Sequence, residues 1–336
     1  FRRMGYIAFN EVELSAYTYQ ATYRRRQITD FDVIGIRIDP DLESFVAVAE
    51  CKSVEDRAME HLLKLHGVQQ YFGAQKAYFV QRKIDVNARE VGTELGVTCL
   101  DADDLAKLMI GLEVRDDVEV QIERHIYETR LKLSSRQKDS FRRQFEYLKF
   151  DFWTLPDHRN VINLIRLMSL MKGAVDPLDH AHQALLHQFV TALALSTIRL
   201  GGSVARFNIS NVRESFRTIL LGGSRERRDR EALHDTISQV VPGARIPIVP
   251  EYFEPLAELA NRFVNAMLYS HRVVACLDEM SRRVVLQERR PERLLVDLFS
   301  DRTIKLARDA IHFVCDVTGV PKEVFAESLT DEALPD

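Results

Sequence analysis

ITDFDVIGIRI (28–38) and FVAVAECK (45–52) are rich in β-branched and apolar residues, and DPDLES (39–44) between them has the Pro and Asp residues that favour a turn. They predict a β-hairpin centred near Asp41, in which residues whose numbers sum to 82 face one another. Asp32 then faces Glu50, and Asp30 faces Lys52. Side chains two residues apart leave a strand on the same side, so all four project from one face at one end of the hairpin. Ile34, Ile36, Val46 and Val48 continue that face and are expected to bury against a helix. The charged group sits at the rim of an apolar surface.

Outward from the hairpin, IAFNEVEL (7–14), KAYFVQR (76–82) and VTCL (97–100) read as three further strands. EDRAMEHLLKLHGVQQYFGA (55–74) reads as an amphipathic helix with Met59, Leu62, Leu63, Val68 and Phe72 as its apolar positions. DVNAREVGTELG (85–96) is a shorter helix with Asp85 as its N-cap and Gly96 at its end. DADDLAKLMIG (101–111) starts with acidic residues at the positive end of the helix dipole and stops at Gly111. The order β-β-β-α-β-α-β-α predicts an α/β fold, a mixed sheet flanked by helices. Beyond about residue 115 the strand signal fades. NVINLIRLMSLMKG (160–173), HAHQALLHQFVTALALSTIRLGG (180–202) and EPLAELANRFVNAMLYSHRVVACLDEM (254–280) are long apolar-periodic runs, and GARIPIVPEY (243–252) is a Pro-interrupted extended connector. We therefore expect an α/β domain over 1–112 and an all-α domain over 113–336 for recognition, partner binding or oligomerisation.

Two or three carboxylates held close together at the edge of a core repel one another and lose hydration. A divalent cation removes that cost. Mg²⁺ takes a few carboxylates plus waters and phosphate oxygens, which Asp32 and Glu50 can provide. Lys52 would place an ammonium beside the attacking water and the scissile phosphate, where it can orient or deprotonate the water or stabilise charge on the phosphorane oxygens. The chemistry implied is metal-assisted phosphodiester hydrolysis.

Asp32 at the head of a strand, the hairpin, and Glu50-Cys51-Lys52 at the end of the next strand resemble the PD-(D/E)xK restriction-endonuclease-like superfamily. The β-β-β-α-β order matches that core, and the later strands are most similar to its Mrr-type or Holliday-junction-resolvase-like branches. The resemblance covers residues 1 to 111. It implies that Asp32, Glu50 and Lys52 are catalytic, that Asp32, Glu50 and the backbone carbonyl of Cys51 bind Mg²⁺, with Mn²⁺ able to substitute, and that the substrate is double-stranded DNA. It also implies a role in restriction, phage defence or DNA repair, and a homodimer or higher oligomer, since cutting two antiparallel strands is most simply done by two symmetric sites. Family members often add a Glu from the helix before the first strand. With the chain starting at Phe1, none is assigned.

Auxiliary positions are open to two readings each. Asp30 either joins the site or simply pairs with Lys52 or caps the strand. Gln69 and Gln70 either steady the site from the following helix or are ordinary helix-surface glutamines. Tyr17, Tyr19, Tyr23, Arg24, Arg25 and Arg26 interleave aromatic and basic groups that can grip a nucleic-acid backbone or stack on bases, with Tyr19, Tyr23 and the three arginines as the contacts expected. Arg142-Arg143 and SRERRDR (224–230) are further basic clusters whose ordinary reading is a solvated surface. His180, His182 and His187 do not share one helical face and do not suggest zinc, while Trp153, Met168, Met171 and Phe189 read as core.

The chain as a whole has 46% apolar and 29% charged residues over 336, enough for two cores. Its net charge of −4 excludes a uniformly basic coat. The four cysteines are scattered without a CxxC pair, excluding a zinc ribbon or a disulfide framework, and read as small buried residues. No apolar stretch reaches the roughly 20 residues that span a bilayer, so a cytoplasmic location without membrane contact is expected. Two competing readings are a catalytically inactive nuclease-fold module that binds DNA or scaffolds a larger defence assembly, and a protein-interaction platform centred on the helical domain.

Overall fold

The chain's architecture comes from a computed structural model, which describes residues 1–18, 24–53, 57–114, 119–207, 211–240, 247–286 and 299–329. Five strands form one mixed sheet in sequential order: β1 (Ile7–Thr18), β2 (Arg24–Ile38), β3 (Ser44–Lys52), β4 (Lys76–Gln81) and β5 (Val97–Leu100). The first three are antiparallel neighbours, and β4 and β5 run parallel to β3. Parallel strands need crossovers, supplied by α1 (Ala58–Phe72) between β3 and β4 and by α2 (Val86–Glu94) between β4 and β5. After β5 comes α3 (Ala102–Gly111).

The helix starts are where their side chains put them. Asp85 accepts the Ala88 N–H at 2.9 Å and caps α2. Asp101 and Asp104 form a reciprocal capping box on α3, and Arg89 ion-pairs with both. The apolar face expected for α1 is shifted. Leu62, Leu65 and Gln69 are its buried residues, whereas Met59 and Leu63 are exposed at 38% and 55%. Only one side of α1 meets the sheet, where His61 stacks on Phe79 with ring centroids 6.1 Å apart. On the opposite side, Gly35 lets the chain start lie flat on β2. A Cβ there would collide with the Phe1 ring, which packs edge-on against Tyr6 and Tyr78.

The molecule divides into two compact units. Unit 1 comprises Phe1–Asp39, Ser44–Glu128 and Glu146–Thr154, and unit 2 comprises Pro40–Glu43, Thr129–Phe145 and Leu155–Asp336. The expected boundary at 112/113 falls between α3 and the long α4 (Glu119–Glu146), whose first turns are counted with the sheet and whose later turns are counted with the helices. Phe141 has non-helical backbone angles, φ −137° and ψ 55°, and kinks α4 near its end. In unit 1, the single turn α5 (Phe152–Thr154) packs on β1, with the Trp153 ring edge-on to Phe9 and its Nε1–H bonded to the Leu148 carbonyl.

Unit 2 contains α6 (Asp157–Ser169), α7 (His180–Phe207), α8 (Val212–Leu220), α9 (Ser224–Val240), α10 (Phe253–Asn265), α11 (Met267–Ser270), α12 (Val273–Leu286), α13 (Asp301–Thr318) and α14 (Ala326–Leu329). Helix α7 is its axis, and α6, α8, α10 and α12 all pack on it. By length and composition α7 could cross a membrane, but most of it is buried inside the protein as a core helix. Met168, Met171 and Phe189 are fully buried, as their periodicity requires, while Trp153 is only half-buried. The run 254–280 is three helices rather than one. Ala266 leaves helical geometry at φ −121° without any Gly or Pro to announce it, and a second break follows Ser270. Part of the expected connector 243–252 lies outside the described residues, and the rest is turn and bend.

Candidate active site at the end of the β2–β3 hairpin

The hairpin has the expected register. Val33 pairs with Ala49, Ile34 with Val48 and Ile36 with Val46, so numbers across it sum to 82. Ile34, Ile36, Val46 and Val48 are all buried and form the apolar floor. The backbone ladder stops at Val33/Ala49, and a side chain takes over from there: Asp32 Oδ2 accepts the Cys51 N–H at 2.5 Å. This bond fixes the Asp32 carboxylate against the next strand and aligns the Glu50-Cys51-Lys52 backbone beside it. It occupies one lone-pair direction of one oxygen only.

Glu50 is 7% exposed, a buried carboxylate, and its Oε1 meets Lys52 Nζ at 2.5 Å. Burial disfavours the Lys52 ammonium, but the hydrogen bond to Glu50 and the charges of Glu50, Asp32 and Asp30 outweigh it and hold the lysine above its ordinary pKa. Lys52 is therefore a cation throughout the neutral range. Cys51 points to the other face of the strand. Desolvation, with Asp32 and Glu50 adding and Lys52 opposing, pushes its thiol up to about 11, so the thiol stays protonated. The cysteines depart from the sequence expectation here: Cys51 is exposed and Cys99 half-exposed, and only Cys276 and Cys315 are buried.

Other expected positions separate. Asp30 is exposed and contributes to Lys52 only through its field, since the ion pair of Lys52 is with Glu50. Gln69 is buried with an Oε1 that has no partner among the described residues, and Gln70 is exposed. Neither is bonded to Asp32, Glu50 or Lys52. Tyr19 and Tyr23 lie outside the described residues, as do the side chains of Arg24, Arg25 and Arg26, whose backbone starts β2.

No family model, curated protein or solved structure matches this chain. The site must be judged on its own donors. Among the described residues no three His, Cys, Asp or Glu side chains converge as a metal cage. A hard cation that keeps several waters does not need one, because one or two carboxylates with substrate phosphates suffice. Asp32 and Glu50 fit that smaller demand: each anchors one oxygen to the protein, and among the described residues neither Asp32 Oδ1 nor Glu50 Oε2 has a hydrogen-bond partner.

Two neighbours were not visible in the sequence pattern. Gln81 is buried and lies beside Lys52 in the parallel register of β3 and β4. Its signal was available in hindsight, a polar residue closing an apolar strand at the same rim. The other is Glu11 on β1, which with Asp32 falls between the ladder pairs Asn10/Val33 and Val12/Phe31.

Proposed function

We propose that the chain is a Mg²⁺-dependent endonuclease acting on double-stranded DNA, with a restriction-endonuclease-like core in unit 1. The observation that carries the reading is the Asp32, Glu50 and Lys52 arrangement: two fixed carboxylates and one permanently charged lysine on one face, at the open end of a hairpin whose remaining face is buried. An ordinary cross-strand ion pair would not require Glu50 to be buried or Asp32 to be held by the backbone of the strand opposite.

Asp32, Glu50 and the Cys51 carbonyl would hold the cation, which when bound supplies Lewis acidity at the phosphate and a more acidic water. Lys52 acts through its charge. Its ammonium can orient the attacking water or stabilise negative charge growing on the non-bridging phosphate oxygens. The Glu50 contact keeps that ammonium on the site's side of the strand. DNA repair, restriction and phage defence are the settings that suit such an activity, and unit 2 would recognise substrate or a protein partner.

The test is cleavage of supercoiled, linear and branched DNA, and of RNA, with Mg²⁺, Mn²⁺ or EDTA. Asp32→Ala, Glu50→Ala and Lys52→Ala should each abolish metal-dependent cleavage while circular dichroism and the thermal midpoint report a folded protein. Undiminished cleavage by all three variants refutes the assignment. DNA binding that weakens with salt but gives no turnover with any metal would favour the inactive, scaffolding form of the fold.

A further inference from the structure

Among the described residues only four non-glycine residues have a positive φ, and Glu11 is the one inside a strand. Leu42 lies in the hairpin turn, Arg57 caps α1 and Glu113 follows α3. At φ 53° in the middle of β1, Glu11 has a backbone that a glutamate adopts only when its surroundings impose it. Its place in the ladder is telling. Asn10 pairs with Val33 and Val12 with Phe31, and Glu11 and Asp32 are the residues that fall between these two pairs. Two like charges brought to adjacent strands repel one another.

A second element holds Glu11 in that place. The Tyr127 hydroxyl, from the first half of α4, donates to Glu11 Oε1 at 2.5 Å. The same part of α4 is tied to the chain start by the Arg2–Glu123 ion pair at 3.5 Å. The Tyr127 phenol lies above its ordinary pKa because of the hydrogen bond to Glu11, desolvation, and then the charges of Glu11 and of Asp32. Asp32 is thus within electrostatic reach of the hydroxyl that anchors Glu11. The next acid along β1 is neutralised, since Glu13 pairs with Lys149 at 2.8 Å, whereas among the described residues Glu11 has no cation paired with it.

We infer that Glu11 and Tyr127 are positioning residues of the Asp32 site: Tyr127 clamps Glu11 beside Asp32, and the Glu11 charge strengthens the pull of Asp32 and Glu50 on a divalent cation without itself being a ligand. The inference rests on the nuclease reading for the cation. A liganding role is not assigned because Glu11, Asp32 and Glu50 do not converge as a three-carboxylate cage. A unit charge several ångströms from a divalent ion, with water between, is enough to change its affinity severalfold.

Isothermal titration of the full chain with Mn²⁺ tests this, alongside Mg²⁺-dependence curves for DNA cleavage. Glu11→Gln should raise the Mn²⁺ dissociation constant about fivefold, Tyr127→Phe should raise it by a smaller factor, and Glu11→Asp should restore it. Glu11→Asn separates charge from folding. Asparagine tolerates the left-handed backbone, so the thermal midpoint should hold or rise while Mn²⁺ binding weakens as in Glu11→Gln. If Glu11→Gln and Tyr127→Phe bind Mn²⁺ as the parent does while Asp32→Ala does not, the inference is overturned and the nuclease reading stands. Absence of Mn²⁺ binding and of cleavage in the parent chain overturns both.

Discussion

At the end of the β2–β3 hairpin, Asp32 and Glu50 each give one oxygen to the protein and, among the described residues, leave the other without a partner, and Lys52 is held charged by an excess of acids. In the core of unit 2, His187 is treated in the opposite way. Its Nδ1 donates to the Gln183 carbonyl and its Nε2 accepts the Ser328 hydroxyl, both at 2.9 Å, with the Phe325 ring 4.9 Å away. Both ring nitrogens are satisfied within the protein, and full burial pushes the imidazole down to about 4. Buried polarity with its valences filled fixes one packing arrangement, whereas polarity left half-filled at a rim is ready for a ligand.

The largest effect that would break this contrast is a site substitution that does no harm. If the proposed nuclease activity holds, Lys52→Ala should lower metal-dependent cleavage by about 100-fold or more with little change in the thermal midpoint. Phe189→Ala, in the centre of α7, should do the reverse. It empties a fully buried site and should cost about 3–5 kcal/mol, read by denaturant unfolding, with cleavage per folded molecule unchanged.

The next effect concerns pH. A histidine whose folded pKa is lowered destabilises the fold as pH falls, because the unfolded chain takes up the proton first. For His187 the loss runs from the ordinary 6.5 down to about 4 and amounts to about 3 kcal/mol. Asp157, raised by burial against the opposing pull of Arg199, Ser196 and His158, has the other sign, so it offsets part of the total. The difference between the parent and His187→Gln isolates the histidine, and it should shrink through this window. A pH-independent difference would place His187 in a wet environment. The smallest effect is at α3, where Asp101→Ala removes the capping box and should cost about 1 kcal/mol in the unfolding midpoint without touching cleavage.

Much of unit 1 was legible because its signals are local. The Asp85 cap, the acidic start of α3, the VTCL strand and the hairpin arithmetic each depend on a few adjacent residues. Glu11 was hidden by one extra residue. From Thr18/Arg24 to Ser15/Gln27 the partners on β1 and β2 sum to 42, and beyond the bulge at Leu14/Ser15 they sum to 43. Extending the sum of 42 along the strands would have set Glu11 against Phe31 and missed Asp32. Tyr127 was hidden by distance, since nothing local says that α4 returns to β1. The buried face of α1 was misplaced because Leu63 and Met59 are apolar yet turned outward, a choice made by the sheet and not by the helix. In unit 2 the periodicity located the helices but not the break at Ala266, which carries no breaker residue.

The kinked strand that carries Glu11 has one more consequence. Among the described strands β1 is an outer one, and its free side would offer a template for another chain to add to the sheet. The left-handed residue at Glu11 and the bulge three residues later interrupt its line of amides twice. A strand so broken resists edge-to-edge aggregation. Straightening it, with Glu11→Val for instance, should increase the tendency of the protein to aggregate on storage, measured by light scattering.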